Sequence, residues 1–324
     1  METLEQRHPN KQWQLRVELN SNRQIKNSLA KNTMALLTIA ISLLAPVIAV
    51  ALFLRARPIL AVKSLSSLLF SATWHPLQGD FGFLAFISGT LWVTAVGMVI
   101  AIPPSLLAAI YLAEYAQPKI RRLVMPFIDL LAGIPSVVYG VWGMLTVVPL
   151  IGDVIAPALD RWLGFTPLFH SRNPTGYSVL AGGAVLAVMV FPIIIAVAED
   201  VIRAVPQGLR EASWSLGATR WQTIRRVVLW RAFPGVIAAV MLGFSRAFGE
   251  TMAVLMVVGN VPQLPGSIFD AAYPLTALIA NNYGEMMSIP LFDSALLGAA
   301  LILLVIVLLF NLGSRLVLTR MMQR

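Results

Sequence analysis

Apolar residues gather in six runs, each long enough to cross a hydrocarbon core of about 30 Å as a helix rising 1.5 Å per residue. They are Thr33 to Leu54, Phe83 to Leu112, Leu123 to Ile151, Tyr177 to Ala198, Phe233 to Val258 and Ser294 to Leu312. The pattern predicts an all-α polytopic membrane protein with six transmembrane helices. Residues 1–31 then form a polar N-terminal tail, 32–314 the membrane domain and 315–324 a short C-terminal tail. Two runs are interrupted, the second by Pro103 and Pro104 and the third by Gly133 and Pro135. Such residues kink or break a helix and free backbone groups, although prolines are common in membrane helices and the pair at 103 and 104 carries no more than that.

Composition supports the membrane reading. The 324-residue chain is 58% hydrophobic and 12% charged, half the roughly 25% charged fraction of a soluble globular protein. Its formal net charge of +9 does not signal nucleic acid, because the basic residues fall between apolar runs rather than on one polar module. With loops assigned alternately, one side of the membrane receives 18 of the 24 Lys and Arg residues. The other receives Arg55, Arg57, Lys63, Arg161 and Arg172. The positive-inside bias puts both termini in the cytoplasm. The N-terminal tail has no apolar core of a signal peptide, so the first run reads as a retained helix rather than a cleaved signal.

Several chemistries are excluded. There is no cysteine, hence no disulfide, thiolate metal site or cysteine nucleophile. No GxxxxGK[ST] loop and no HExxH occur, and His8, His75 and His170 are dispersed. The chain is therefore expected to be no enzyme, to hold no metal or cofactor, and to draw energy from a partner or a gradient.

Two opposite charges lie where lipid is expected. Arg246 and Glu250 are the only charged residues between Arg231 and Asp270. A central charge costs about 2.5 to 3.5 kcal/mol on insertion scales, so an intramembrane ionisable pair is read as functional by default. Spacing of four puts the two on one helical face, although arginine before glutamate is the weaker order for a helical ion pair. Gly235, Ala239, Gly243, Ala247 and Thr251 form a stripe of small residues beside them, the usual mark of tight helix packing. A salt bridge that merely holds the helix against a neighbour is the competing reading. Ser136 and Tyr139 of the third run share a face and either line the same passage or hydrogen-bond around the Pro135 kink.

The segment between runs four and five reads EASWSLGATRWQTIRRVVLWRAFPG from Glu211. It is too polar to span and too apolar to be an idle linker. Glu211 to Ser215 suits a short helix, Gly217 a turn, and Trp221, Ile224 and Val228 an apolar stripe on a second helix. It is either a helix-turn-helix docking element, with Ala212, Ser213 and Ala218 permitting close approach, or a surface helix in the headgroup layer.

Glu211, Ala212, Ser213, Leu216, Gly217 and Ala218 resemble the EAA loop of ABC importer membrane subunits, which couples them to an ATPase. Here Leu229 is followed by Trp230, not by the family's usual proline. The runs IDLLAGIPSVVYGVWG and GFSRAFGETMAVLMVVGN are similar to the signatures of the phosphate-importer permease family of PstC type. The resemblance implies a type I, MetI-like permease fold that forms half of a pathway for inorganic phosphate. It also implies a PstA-like second permease, a PstB-like homodimeric ATPase and a PstS-like periplasmic phosphate-binding protein. Arg246, Glu250, Ser136, Tyr139 and Thr251 then border the anion's route, with Arg246 meeting the oxyanion and Glu250 orienting it and preventing permanent trapping. The alternatives are the same machine for sulfate or molybdate, or a proton-coupled secondary transporter relaying through Arg246 and Glu250. In the outer segment from Gly259 to Asp293 an amphipathic helix is expected around Leu275 to Ala280, next to a gate.

Overall fold

The computed structural model describes residues 10–171, 173, 175–285 and 289–322. Residues 1–9, Arg172 and Arg324, which entered the charge count, lie outside the described residues. Six described helices are long and apolar enough to cross a membrane: Lys26–Val62, Leu84–Tyr115, Ser136–Leu163, Val179–Arg203, Arg220–Gly249 and Phe292–Leu316. A lipid core offers backbone groups no hydrogen-bond partner, and a helix satisfies them internally.

The chain divides into two compact units, one ending at Leu54 and the other running from Arg55 to Arg324. The described part of the first unit, from Asn10, is helix. Its α1 spans Asn10–Val62, so the polar tail from residue 10 onward is helical and continuous with the first apolar run.

The second unit begins with the last residues of α1, of which Ala56 and Ile59 are fully buried. It continues through α2 (Leu65–Phe70) and a hairpin of β1 (Trp74–His75) and β2 (Asp80–Phe81). The spans α3 (Leu84–Tyr115), α5 (Ser136–Leu163), α6 (Val179–Arg203) and α8 (Arg220–Gly249) are joined by α4 (Pro118–Gly133) and α7 (Gln207–Ser215). After α8 come α9 (Met252–Leu255), α10 (Leu275–Asn282) and α11 (Phe292–Met322). Pro103 and Pro104 sit inside an unbroken α3, as expected.

The pillar of this unit is α6, with 61% of its most apolar window buried, against 22% for α8 and for α11. Its start is fixed by capture of its orphan N–H groups. Val179 N donates to Asp270 O at 2.9 Å and Leu180 N to Ile268 O at 2.8 Å. Ala181 N donates to the Ser178 hydroxyl at 3.2 Å. The stripe predicted on α8 packs here: a methyl group on Gly243 would meet Ile194 at 2.8 Å and Val190 at 2.9 Å, and Ala239 is fully buried. In α5, a methyl on Gly143 would stand 2.5 Å from Val185, and one on Gly140 2.6 Å from Met256 Sδ. The two glycines let α5 lie close to α6 and to the chain after α8.

Two of the six expected runs are redrawn. The third is two helices: Ile134 and Pro135 take extended backbone (ψ 131° and 139°), because a residue preceding proline avoids the helical region. The span proper starts at Ser136 and reaches Leu163, twelve residues beyond Ile151. The fifth ends at Gly249, where Glu250 turns extended (ψ 130°). A helix is present in the outer segment as α10, but Leu275, Thr276, Ala277 and Leu278 are all buried, so its first turn is covered on every side and is not the amphipathic surface expected there.

Gly143→Val is expected to destabilise the fold by about 1–3 kcal/mol through overpacking. Gly133→Ala, with open space around its Cβ, is expected to leave stability unchanged. Thermal unfolding of the two variants in detergent checks the contrast.

Candidate functional site

Arg246 stands in the last turn of α8, where unpaired carbonyls favour a cation. The break beyond it is held by tertiary and local contacts. The Glu250 carboxylate accepts from Ala253 N at 3.3 Å, and its backbone carbonyl accepts from Thr276 Oγ1 of α10 at 3.0 Å. These bonds satisfy groups that an unbroken helix would have paired. Arg246 and Glu250 therefore do not share a helical face, and no ion pair joins them among the described residues. The expectation of one face assumes a continuous helix, and the extended Glu250 ends it.

Arg246 Nε is buried without a hydrogen-bond partner. A buried donor left unpaired costs about 1–3 kcal/mol, more if charged, so its presence calls for an acceptor. The Tyr139 ring lies within electrostatic range of its charge. The Tyr139 hydroxyl donates to Leu131 O at 2.9 Å, stapling the α4–α5 break, and the side chain is buried. Ser136, the first residue of α5, is half-buried and its hydroxyl has no partner among the described residues. Thr251 is half-buried, its hydroxyl 3.4 Å from Gly249 O.

At the opposite end of α8 lies the elbow. Its first helix, α7, closes on Gly217, whose φ of +81° suits glycine alone. Gly217 N donates to Trp214 O at 2.9 Å and Ala218 N to Ser213 O at 3.2 Å, the paired bonds of a Schellman ending. Thr219 and Gln222 then form a reciprocal capping box that starts α8. Glu211, Ala212 and Gly217 are exposed, and Ser213 and Ala218 partly so. Leu216 is 90% exposed at the tip. The apolar stripe is only partly as predicted. Ile224 and Val228 are buried with Thr223, whereas Trp221 is half exposed. The buried face of this stretch is centred on Thr223 and Ile224, which leaves Trp221 at its edge.

What holds the elbow is absent from the expectations of the sequence. Arg210 of α7 is almost fully withdrawn from water (side chain 8% exposed) against Glu114 in the last turn of α3 (7%), Nη2 to Oε1 2.5 Å. Arg210 also donates to Val205 O at 2.5 Å and Ile202 O at 3.0 Å, carbonyls at the end of α6. Arg220 donates to the Glu114 carbonyl and lies over the Tyr115 ring at 4.7 Å. Beside it, the fully buried Glu199 takes a two-pronged bond from Arg121, at 2.6 and 3.0 Å. Glu199 holds the Arg121 guanidinium above its ordinary pKa. The only trace of this network in the sequence is that Glu114 and Glu199 fall at the ends of apolar runs.

Residues 105–323 match the model of the binding-protein-dependent transport system inner membrane component family. The chain belongs to that family. A phosphate transport system permease protein PstC of Haemophilus influenzae is 37% identical over 91% of this chain and 94% of its own length. The PstC of Pasteurella multocida is 40% identical over 78% of this chain and 80% of its own. A probable ABC transporter permease, YqgH of Bacillus subtilis, is 38% identical over 90% of both. Among solved structures, an inward-facing MetNI methionine ABC transporter chain aligns with a TM-score of 0.51 at 21% identity, covering 72% of this chain and 93% of its own. A chain of a bacterial alginate ABC importer aligns with a TM-score of 0.54 at 17% identity, covering 93% and 99%. The fold is that of a type I ABC importer permease, and the protein is a multi-pass membrane permease subunit.

Arg210→Gln is expected to cost about 3–5 kcal/mol, since it strands the buried Glu114 carboxylate. The double variant Arg210→Met with Glu114→Leu is expected to recover most of that loss. Thermal unfolding, with protease cleavage at Leu216 as a local readout, checks both.

Proposed function

We propose that this permease forms half of the pathway for inorganic phosphate in an ATP-driven importer and that Arg246 is the cationic contact for the anion. One observation carries the reading: a buried guanidinium nitrogen with no acceptor, on a helix that ends inside the apolar part of the chain. A phosphate oxygen is the acceptor that suits it, and the planar fork of arginine suits an oxyanion better than an ammonium would. The PstC names of the relatives favour phosphate over sulfate or molybdate.

Glu250 has a different part from the one read in the sequence. It caps α9 and keeps the chain broken beyond Arg246, so the arginine is not neutralised by a hydrogen-bonded carboxylate. A proton relay through the two residues loses its support for the same reason. Ser136 offers a free hydroxyl to the route, Tyr139 fixes the wall that carries it, and Thr251 borders the break. An anion in such a route must be held weakly enough to leave.

The elbow at Glu211–Ala218, with its exposed Leu216, docks onto a PstB-like homodimeric ATPase in the cytoplasm. A PstA-like permease supplies the other half of the route, and a PstS-like protein delivers phosphate outside. The positive-inside bias favours this orientation, with both termini in the cytoplasm of a bacterial inner-membrane protein. The buried Arg210–Glu114 pair suits the elbow to passing its motion to α3 and α6, and α10, bonded to the break through Thr276, is placed beside a gate.

Arg246→Gln is expected to lower phosphate uptake by about 10- to 100-fold, the loss of one hydrogen bond to a charged group, with the partner subunits still co-purifying. Arg246→Lys restores the charge but not the fork and is expected to recover little. Loss of the assembled complex in both variants would mean that Arg246 holds the fold. Uptake that persists in membranes with ATP but a collapsed proton gradient is expected; its disappearance would favour the secondary transporter.

A further inference from the structure

Beneath the elbow a cavity of about 360 Å³ opens, its polar lining made of Glu114, Arg203, Gln207, Arg210, Trp214 and Arg220. Three guanidinium groups face one carboxylate, and that carboxylate is already spent on Arg210, which donates to both of its oxygens. Among the described residues, Arg220 uses one N–H on the Glu114 carbonyl and the rest of its fork has no hydrogen-bond partner. Arg203, 47% exposed, reaches Glu199 alone among them, at 3.7 Å, an oxygen that Arg121 holds at 2.6 Å. The Gln207 amide and the Trp214 indole N–H have no hydrogen-bond partner among the described residues. Among the described residues the cavity thus carries two guanidinium groups with no closely held carboxylate of their own and a set of unspent donors, beside the buried Arg210.

We propose that this cavity binds a phosphate group, with Arg203 and Arg220 as its charged contacts and Gln207 and Trp214 as neutral donors. A phosphate brings up to two negative charges and several acceptor oxygens, which is the complement of what the cavity offers. The site is separate from Arg246, which follows Arg220 by 26 positions along α8, about 39 Å at 1.5 Å per residue. Its walls belong both to the elbow, through Gln207, Trp214 and Arg220, and to the spans, through Glu114 and Arg203. An occupant therefore ties the elbow to the spans more firmly. Because Glu114 closes the span α3, the cavity lies where a free phosphate of the aqueous phase and the phosphate of a lipid headgroup both reach it.

The absence of cysteine and the exposure of Leu216 provide the readout. The full chain carrying Leu216→Cys, labelled with an environment-sensitive fluorophore and held in phosphatidylcholine nanodiscs, is titrated with inorganic phosphate at constant ionic strength. A saturable signal is expected, unchanged by Arg246→Gln and at least about tenfold weaker in apparent affinity with Arg203→Gln. Arg220→Gln serves as the second variant. If free phosphate is silent but phosphatidic acid in the nanodisc gives an Arg203-dependent signal, the headgroup is the ligand and the site stands. No response to either probe, a response indifferent to both Arg203→Gln and Arg220→Gln, or one lost with Arg246→Gln alone would overturn it.

Discussion

A guanidinium withdrawn from water has five N–H groups to satisfy, and leaving a buried charge unpaired costs several kcal/mol. Arg210 meets most of that demand where α7, the end of α3 and the end of α6 converge. Glu114 supplies the countercharge, while the Ile202 and Val205 carbonyls supply the remaining acceptors. The Ile202 carbonyl belongs to the last turn of α6 and the Val205 carbonyl to the chain just after it, so one side chain ties together an arginine, a glutamate and the exit from a helix. Removing any partner leaves the others stranded. The elbow is consequently not a flap on a flexible tether but an extension of the two most intimately packed spans.

The far end of α8 is governed by the opposite condition. There the helix stops because Glu250 and Thr276 satisfy the backbone groups that the stop releases. The stop leaves Arg246 in the final turn, near free carbonyls and with its Nε buried and unpaired. A donor of that kind is tolerated where an acceptor arrives during function, and an oxyanion is such an acceptor. In the proposed reading, the two ends of one helix divide the labour: a fully compensated arginine at the elbow carries force, and an uncompensated one at the break meets the anion.

Features that arise from local pattern are mostly legible in the sequence. Six apolar runs, the small stripe from Gly235 to Ala247, the turn at Gly217 and the helix after Pro274 all depend on residues within a few positions of one another. Features that depend on distant partners are hidden. Glu114 and Arg210 are 96 residues apart, and Glu250 and Thr276 are 26 apart. Gly249 is the one local hint of the break, but single glycines are common within membrane helices, so Arg246 and Glu250 look like a pair. Trp221 is misplaced because its spacing from Ile224 suits a buried stripe, whereas the face that packs is centred on Thr223, a polar residue that gives no apolar signal. The break at Ile134 is visible as a proline, but its closure by Tyr139 is not.

In the proposed reading the elbow and the spans α3 and α6 move as one body. The cysteine-free chain makes this directly measurable by double electron–electron resonance between spin labels at Leu216→Cys on the elbow and Leu107→Cys on α3, both exposed. In the assembled transporter the account predicts the same distance distribution with and without ATP. A shift of about one helical turn, roughly 5.4 Å, would show the elbow hinging freely and would contradict it.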